Sequence, residues 1–204
     1  MPIPAIPRID LLSRIQRIQS ITISWMTVET AVSLFAAWRA ASPALFAFGG
    51  DSAVELLSAV VVLRRFSTLI DGHHAERRAA RIAAALLFVL AAFVAVTSAM
   101  TLLGHSESSP SYLGIAILVG ATTIMPWLAS QKRKLSSETG SVALRADAAQ
   151  SGLCAYLSLI ALLGIGANAL WHVSWADPIA ALAIIPLILW EGKEALKGKP
   201  CQCS

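Results

Sequence analysis

The stretch "FAFGGDSAVELLSAVVVL", residues Phe46–Leu63, decides the fold, because it places two carboxylates inside a run that is otherwise apolar. Asp51 and Glu55 lie four residues apart, a step that puts both side chains on one face of a helix. A run of this length and apolarity is typical of a helix that spans a bilayer. Ionised carboxylates inside a membrane are costly unless something compensates them. The stretch therefore predicts a transmembrane helix with a functional polar face.

The rest of the chain fits a membrane protein. Of its 204 residues, 56% are hydrophobic and 14% are charged, and the mean hydropathy is +0.68, too apolar for a soluble domain of this length. Six stretches reach the roughly 20 apolar residues that a spanning helix needs, at about 20–39, 43–63, 82–103, 111–129, 141–163 and 175–191. The sequence thus predicts an all-α integral membrane protein. A six-helix transmembrane bundle at 20–192 follows a basic N-terminal arm at 1–19 and precedes a short tail at 193–204.

The positive charges predict the orientation. With six spans, every Lys and Arg except Arg39 falls on the side of both termini, including Lys132 to Lys134 in the expected connection between helices 4 and 5. The positive-inside rule then places both termini in the cytoplasm, with the bundle in the inner or plasma membrane. The net charge of +4 is explained by this topology, and no nucleic-acid partner is expected. The first apolar run also comes too late for a cleavable signal peptide.

A second polar stripe lies in helix 5, in "ALRADAAQSGLCAYLSL", residues Ala143–Leu159. Asp147, Gln150 or Ser151, and Cys154 follow one another at steps of three and four, so they share a face. At 1.5 Å per residue, Cys154 lies roughly 11 Å and Gln150 roughly 16 Å below the outer boundary, against roughly 12 Å and 18 Å for the two acids of helix 2. The depths predict Cys154 opposite Asp51 and Gln150 opposite Glu55. Glu29 of helix 1 lies at a similar depth.

Oxygen donors with one thiolate suit a divalent cation, and a thiolate favours borderline or soft metals such as zinc and cadmium. The predicted spans place no Lys or Arg at this depth to pair with the acids. An acidic pocket without such a partner holds a cation or stays protonated. The alternative is that protonated Asp51 and Glu55 only hydrogen-bond neighbouring helices.

These residues carry a family resemblance. "SPALFAFGGDSAVELLSAVVVLRR", "ALRADAAQS" and "WADPIAALAIIPLILWEGKEAL" resemble the cation diffusion facilitator, or cation efflux, family. The resemblance implies a tetrahedral midplane metal site with two ligands from helix 2 and two from helix 5, carried here by Asp51, Glu55, Gln150 and Cys154. Glu stands where the family has a second Asp, Gln where His is common, and Cys where Asp is common. Only a short tail follows helix 6, as in a small branch without the cytoplasmic domain, so a homodimer would have to form through transmembrane helices or would not form.

The resemblance implies a secondary transporter that exports a divalent metal, zinc or cadmium, in exchange for protons. The metal is the substrate, and no organic cofactor is expected. A non-transporting protein that binds metal or regulates a partner through the same fold is the alternative. An intramembrane enzyme with Cys154 or Ser151 as nucleophile is disfavoured, because no membrane His is placed as a base. The protein is therefore expected not to be an enzyme.

Besides Glu29 and Asp147, two further groups are candidates for additional metal or proton binding. The sequence "LIDGHHAER" places Asp71, His73, His74 and Glu76 between helices 2 and 3, where a solvated polar loop is the equal alternative. Cys201 and Cys203 lie in the tail, where paired thiols capture soft metals or are incidental.

Overall fold

The computed structural model describes residues 8–67, 73–105 and 108–197, with side chains described at 11–57, 59–60, 81–105, 108–141 and 144–196. Over these ranges the chain is all-α, which confirms the predicted fold class. It forms six helices: α1 (Arg8–Ala40), α2 (Pro43–Ser67), α3 (His73–Leu102), α4 (Tyr112–Thr139), α5 (Val142–Trp171) and α6 (Ala176–Lys197). We call the end of the bundle where α1 begins and α6 finishes the terminal end, and the opposite end the distal end.

The surface of the bundle is that of an integral membrane protein. Within the described part of the chain, four helical stretches are long and apolar enough to cross a bilayer: Leu11–Ala40, Arg81–Leu102, Tyr112–Thr139 and Leu144–Trp171. Their outward faces carry apolar side chains such as Val89, Val96 and Leu163, each at least 60% exposed. Such a continuous apolar exterior is unusual in water, but it is expected in lipid. The other two helices, α2 and α6, carry acids that face the interior.

Several helices continue past the predicted spans. Helix α1 already begins at Arg8, inside the segment predicted as an arm, and α5 continues to Trp171. Helix α4 runs to Thr139, so Lys132 lies within a helix rather than in a connection. Hydropathy reports where side chains become polar, whereas a helix satisfies its own backbone hydrogen bonds on both sides of the membrane boundary. Apolar composition therefore predicted the six helices but not where they begin and end.

Helix α2 occupies the centre of the bundle. It contacts α1, α3, α5 and α6, while α4 packs chiefly on α5, and α3 on α6. Its apolar side chains Phe48 and Val54 are buried in the main core. Because neighbours cover α2 on several sides, its polar face is enclosed by the bundle, and Asp51 and Glu55 are buried.

The distal end is held together around Asp177, at the start of α6. Ser42 donates a hydrogen bond to Asp177 Oδ1 at 2.7 Å, and Ser108 donates to Oδ2 at 2.9 Å. Asn168 of α5 donates to the carbonyl oxygen of Ser108 at 3.0 Å. An acid at a helix N-terminus is favourable, and here both oxygens are also satisfied. Asp177 therefore has a structural role, connecting the α1–α2 turn, the segment before α4, and α6.

Candidate metal site in the bundle core

Asp51 and Glu55 are the two acids of the central helix. Both are buried, at 2% and 0% exposure. The Asp51 carboxyl group hydrogen-bonds that of Glu191 in α6, and Glu55 Oε1 accepts a bond of 2.6 Å from Ser151 of α5. Asp51 Oδ1 and Glu55 Oε2 have no hydrogen-bond partner in the described part of the chain. A buried acceptor without a donor is costly, so each acid presents one oxygen that a cation would satisfy.

Glu29 of α1 is also fully buried, but its carboxylate is saturated with donors. Trp25 Nε1 donates to Oε2 at 2.5 Å, Ser52 donates to Oε1 at 2.7 Å, and the Cys154 thiol lies 3.5 Å from Oε1. These contacts join α1 to α2 and α5. The structure thus places Glu29 beside Cys154, and the three hydrogen bonds fix the orientation of the Glu29 side chain.

Cys154 is buried with its sulfur against Glu29 and 3.8 Å from the hydroxyl oxygen of Ser52. A thiol that donates to a carboxylate carries its proton, whereas a metal ligand must be a thiolate. The Cys154 thiol is therefore hydrogen-bonded to Glu29. To bind a metal ion, it would have to lose its proton and exchange Glu29 for the ion.

Gln150 differs from its expected position. Its Nε2 donates to Glu191 Oε1 at 2.6 Å, and the residue that bonds Glu55 is Ser151. Adjacent helical residues point about 100° apart, so α5 turns Ser151 toward α2 and Gln150 toward α6. Gln150 is thereby linked to Asp51 through Glu191.

The expectation that no basic side chain lies near the acids is wrong. Lys132 of α4 is fully buried, and its Nζ lies 3.0 Å from Asp147 Oδ2 and 2.8 Å from Ser151 Oγ. Gln19 Nε2 donates to the same oxygen of Asp147 at 2.6 Å. Asp147 and Lys132 therefore form a buried ion pair, in which each residue supplies the opposite charge that a buried charged group requires.

The four residues predicted as ligands are neighbours but do not converge. Among the side chains that the structure describes, no three His, Cys, Asp or Glu residues are grouped so that they could hold a metal ion. Asp51 is paired with Glu191, Cys154 with Glu29, Glu55 with Ser151, and Gln150 with Glu191. A bound cation would have to replace several of these partners.

The auxiliary candidates are only partly covered by the structure. The backbone of His73, His74 and Glu76 forms the first turn of α3 rather than a loop, and their side chains are not among those described. Asp71, Cys201 and Cys203 lie outside the described residues. Metal binding by either group stays a prediction.

Three polar residues of the core were missed from the sequence, namely Gln19, Lys132 and Glu191. Each lies on a buried stripe with helical spacing. In α6 the stripe is Ala181, Ile184, Ile188 and Glu191, and in α4 it is Leu118, Ala121, Met125, Leu128 and Lys132. Extending the steps of three and four past the end of the apolar runs of α4 and α6 would have identified Lys132 and Glu191.

Comparison with known proteins agrees with this architecture. The chain is similar to the uncharacterized transporter sll1263 of Synechocystis sp., with 26% identity over 156 residues that cover 72% of this chain and 50% of the relative. It is also similar to the manganese efflux system protein MneS of Bacillus subtilis, with 25% identity over 190 residues that cover 89% of this chain and 65% of the relative. The chain thus spans about half to two thirds of the length of these relatives. The cation efflux transmembrane domain matches residues 20–197, almost the whole six-helix bundle, and the chain therefore belongs to the cation efflux family.

Proposed function

We propose that this protein is a secondary transporter that exports a divalent transition-metal cation through the core of its six-helix bundle. One observation carries the proposal: Asp51 and Glu55 are buried side by side on the central helix, and each keeps one oxygen without a hydrogen-bond partner among the described residues. Membership of the cation efflux family supports the same function. The acids would bind the ion near the middle of the membrane.

The contact between Asp51 and Glu191 supports exchange for protons. Two carboxyl groups form a hydrogen bond with each other only when one of them carries a proton. A cation that binds Asp51 would break this contact and release the proton. Each transported ion is thereby coupled to the movement of protons in the opposite direction.

Zinc or cadmium is the proposed substrate, because Cys154 supplies a sulfur donor beside the acids. Manganese is a second candidate, favoured by two observations. The relative MneS is named a manganese efflux system protein, and carboxylates outnumber the single thiol in this part of the core. Manganese prefers carboxylate and carbonyl oxygens.

Flux into liposomes tests the proposal. Purified protein is reconstituted with a metal-sensitive dye and a pH-sensitive dye inside, and zinc, cadmium or manganese is added outside. We expect metal influx accompanied by proton efflux. In Glu55→Gln the flux should fall at least about tenfold, since loss of groups that support a metal site costs this much or more.

The matched control is Glu138→Gln, which removes a partly exposed carboxylate of α4 that pairs with Arg14. It should transport like the wild type. Wild-type protein that binds metal but carries no flux would favour the alternative of a metal-binding or regulatory membrane protein. Undiminished flux in Glu55→Gln would exclude the assignment of this site.

A further inference from the structure

Lys132 is a buried cation that the proposed transport cycle does not yet use. The side chains of Lys132 and its partner Asp147 both have 0% exposure. Lysine is almost never fully buried without a partner, and a buried ion pair is often no more stable than an apolar pair of the same size. Stability alone is therefore a weak explanation for a positive charge at this position.

Lys132 belongs to a set of side chains, the lysine network, that consists of Gln19, Asp147, Lys132 and Ser151. Gln19 of α1 donates to Asp147 of α5, which pairs with Lys132 of α4, and Lys132 donates to Ser151. Ser151 then donates to Glu55 Oε1 at 2.6 Å. Gln19 and Asp147 lie in the first half of α1 and α5, and Lys132 lies in the last turns of α4. The lysine network therefore separates Glu55 from the terminal end.

Two buried oxygens of the lysine network, Gln19 Oε1 and Asp147 Oδ1, have no hydrogen-bond partner in the described part of the chain, and neither has Glu55 Oε2 beside it. All three are acceptors, so the group that would satisfy them is a donor or a cation. Carboxylate and amide oxygens are also the ligands that hard divalent cations prefer. The three residues come from three different helices, which is typical of a binding site in a bundle core.

We propose that the lysine network is a second, transient cation site, in which the Lys132 ammonium stands in for the transported ion. This inference rests on the proposed function. A divalent cation arriving from the terminal end displaces the ammonium from Asp147 and binds the oxygens of Asp147 and Gln19 before it moves to Glu55. The ammonium returns when the ion has left and closes the path.

Coulomb repulsion gives this exchange its physical basis. An ammonium and a divalent cation a few ångströms apart in a buried site repel each other strongly, so they compete for the same carboxylate. Competition between two ligands is reciprocal. Removing the ammonium should therefore strengthen cation binding and slow the release of the ion. KM and kcat should both fall, whereas loss of a purely structural ion pair would reduce the amount of folded protein and leave KM unchanged.

The test compares Lys132→Gln and Lys132→Arg with the wild type in the liposome assay, using zinc and manganese as probes. In Lys132→Gln we expect KM and kcat each to fall at least about fivefold, the lower end of the range for coupled binding sites. The affinity measured by equilibrium competition in detergent should rise by a similar factor. Lys132→Arg keeps the positive charge and should restore both parameters toward the wild type. The control is Lys134→Gln, which removes the same charge from an exposed position of α4.

Unchanged KM in Lys132→Gln, or the same change in Lys134→Gln, would overturn the inference while the proposed function stands. Wild-type protein without flux of any metal would refute both. If Lys132→Gln does not fold, the double variant with Asp147→Asn removes the pair without leaving a charge unpaired. That variant has lost a carboxylate of the transient site, so its kcat/KM should fall at least about fivefold, and an unchanged kcat/KM would overturn the inference.

Discussion

At the scale of single residues, the buried acids of the core differ in how their charge is compensated. Glu29 receives three donors, which satisfy both of its oxygens. Asp51 and Glu55 each keep an oxygen without a partner among the described residues. A saturated carboxylate resists exchange because a new ligand must replace several hydrogen bonds, whereas an unsaturated one gains an interaction. This difference supports the proposal that the two acids of α2 bind the ion and that Glu29 only positions its neighbours.

In the proposed site Cys154 would set the metal preference, because it is the only residue with a sulfur donor among the four predicted ligands. Cys154→Asp should weaken cadmium binding more than zinc binding and should allow manganese to bind, since it replaces a soft donor with a hard one. Cys154→Ser should weaken cadmium and zinc without gaining manganese, because a neutral hydroxyl is a poor replacement for a thiolate. Competition titrations of the three metals at fixed pH measure these affinities. An identical ranking of metals in wild type and both variants would show that Cys154 only packs against Glu29.

At the scale of helices, the contact between α5 and α6 depends on Gly164. A Cβ atom at this position would lie 2.4 Å from the Cβ of Ala180 and 3.1 Å from the carbonyl oxygen of Ala176. Gly166, in the same helix, has no heavy atom within 4 Å of such a Cβ. The two glycines thus form a matched pair, one in a close helix contact and one in open space.

Gly164→Ala should destabilise the bundle by about 1–3 kcal/mol, the usual cost of overpacking. Gly166→Ala should be neutral or stabilising by up to about 1 kcal/mol, because alanine is the better helix former. Thermal unfolding in detergent, followed by the fluorescence of the six tryptophans, measures both variants. Equal shifts in the two midpoints would contradict the close contact between α5 and α6.

The sequence predicted the number of helices and their polar faces, but not how neighbouring helices pair their side chains. Asp51, Glu55 and Cys154 were identified as polar residues of the core because a polar residue in a spanning helix is conspicuous. Lys132 was missed because it follows the end of an apolar run, where a long side chain is ordinarily expected to reach water. Glu55 pairs with Ser151 rather than Gln150 because packing sets the rotation of α5 about its axis. The depth of a residue in the membrane, calculated from the rise per residue, gives no information about that rotation.

At the scale of the whole molecule, aromatic residues mark one membrane boundary. Trp38, Tyr112 and Trp171 lie at the distal ends of their helices and Trp175 directly precedes α6, and each of the four is at least 59% exposed. Tryptophan and tyrosine are enriched at the level of the lipid headgroups. The distal end therefore has the composition of a membrane interface, and the basic residues collect at the terminal end.

A homodimer through the transmembrane helices stays a prediction, which the mass of the protein–detergent complex would check.

The distribution of charge predicts that the distal end faces outward and that both termini lie in the cytoplasm. Single cysteines at exposed positions test this orientation in a background in which Cys201 and Cys203 are replaced by serine, while the buried Cys154 stays in place. Ser109→Cys and Ser174→Cys, at the distal end, should react with an impermeant thiol reagent added to intact cells. Ser137→Cys, in the last turn of α4 at the terminal end, should react only after the membrane is permeabilised. All three positions are exposed, so a missing reaction reports the side of the membrane rather than burial. The opposite labelling pattern would reverse the bundle, and the lysine network would then lie between the metal site and the outside, where it would control release of the ion instead of its uptake.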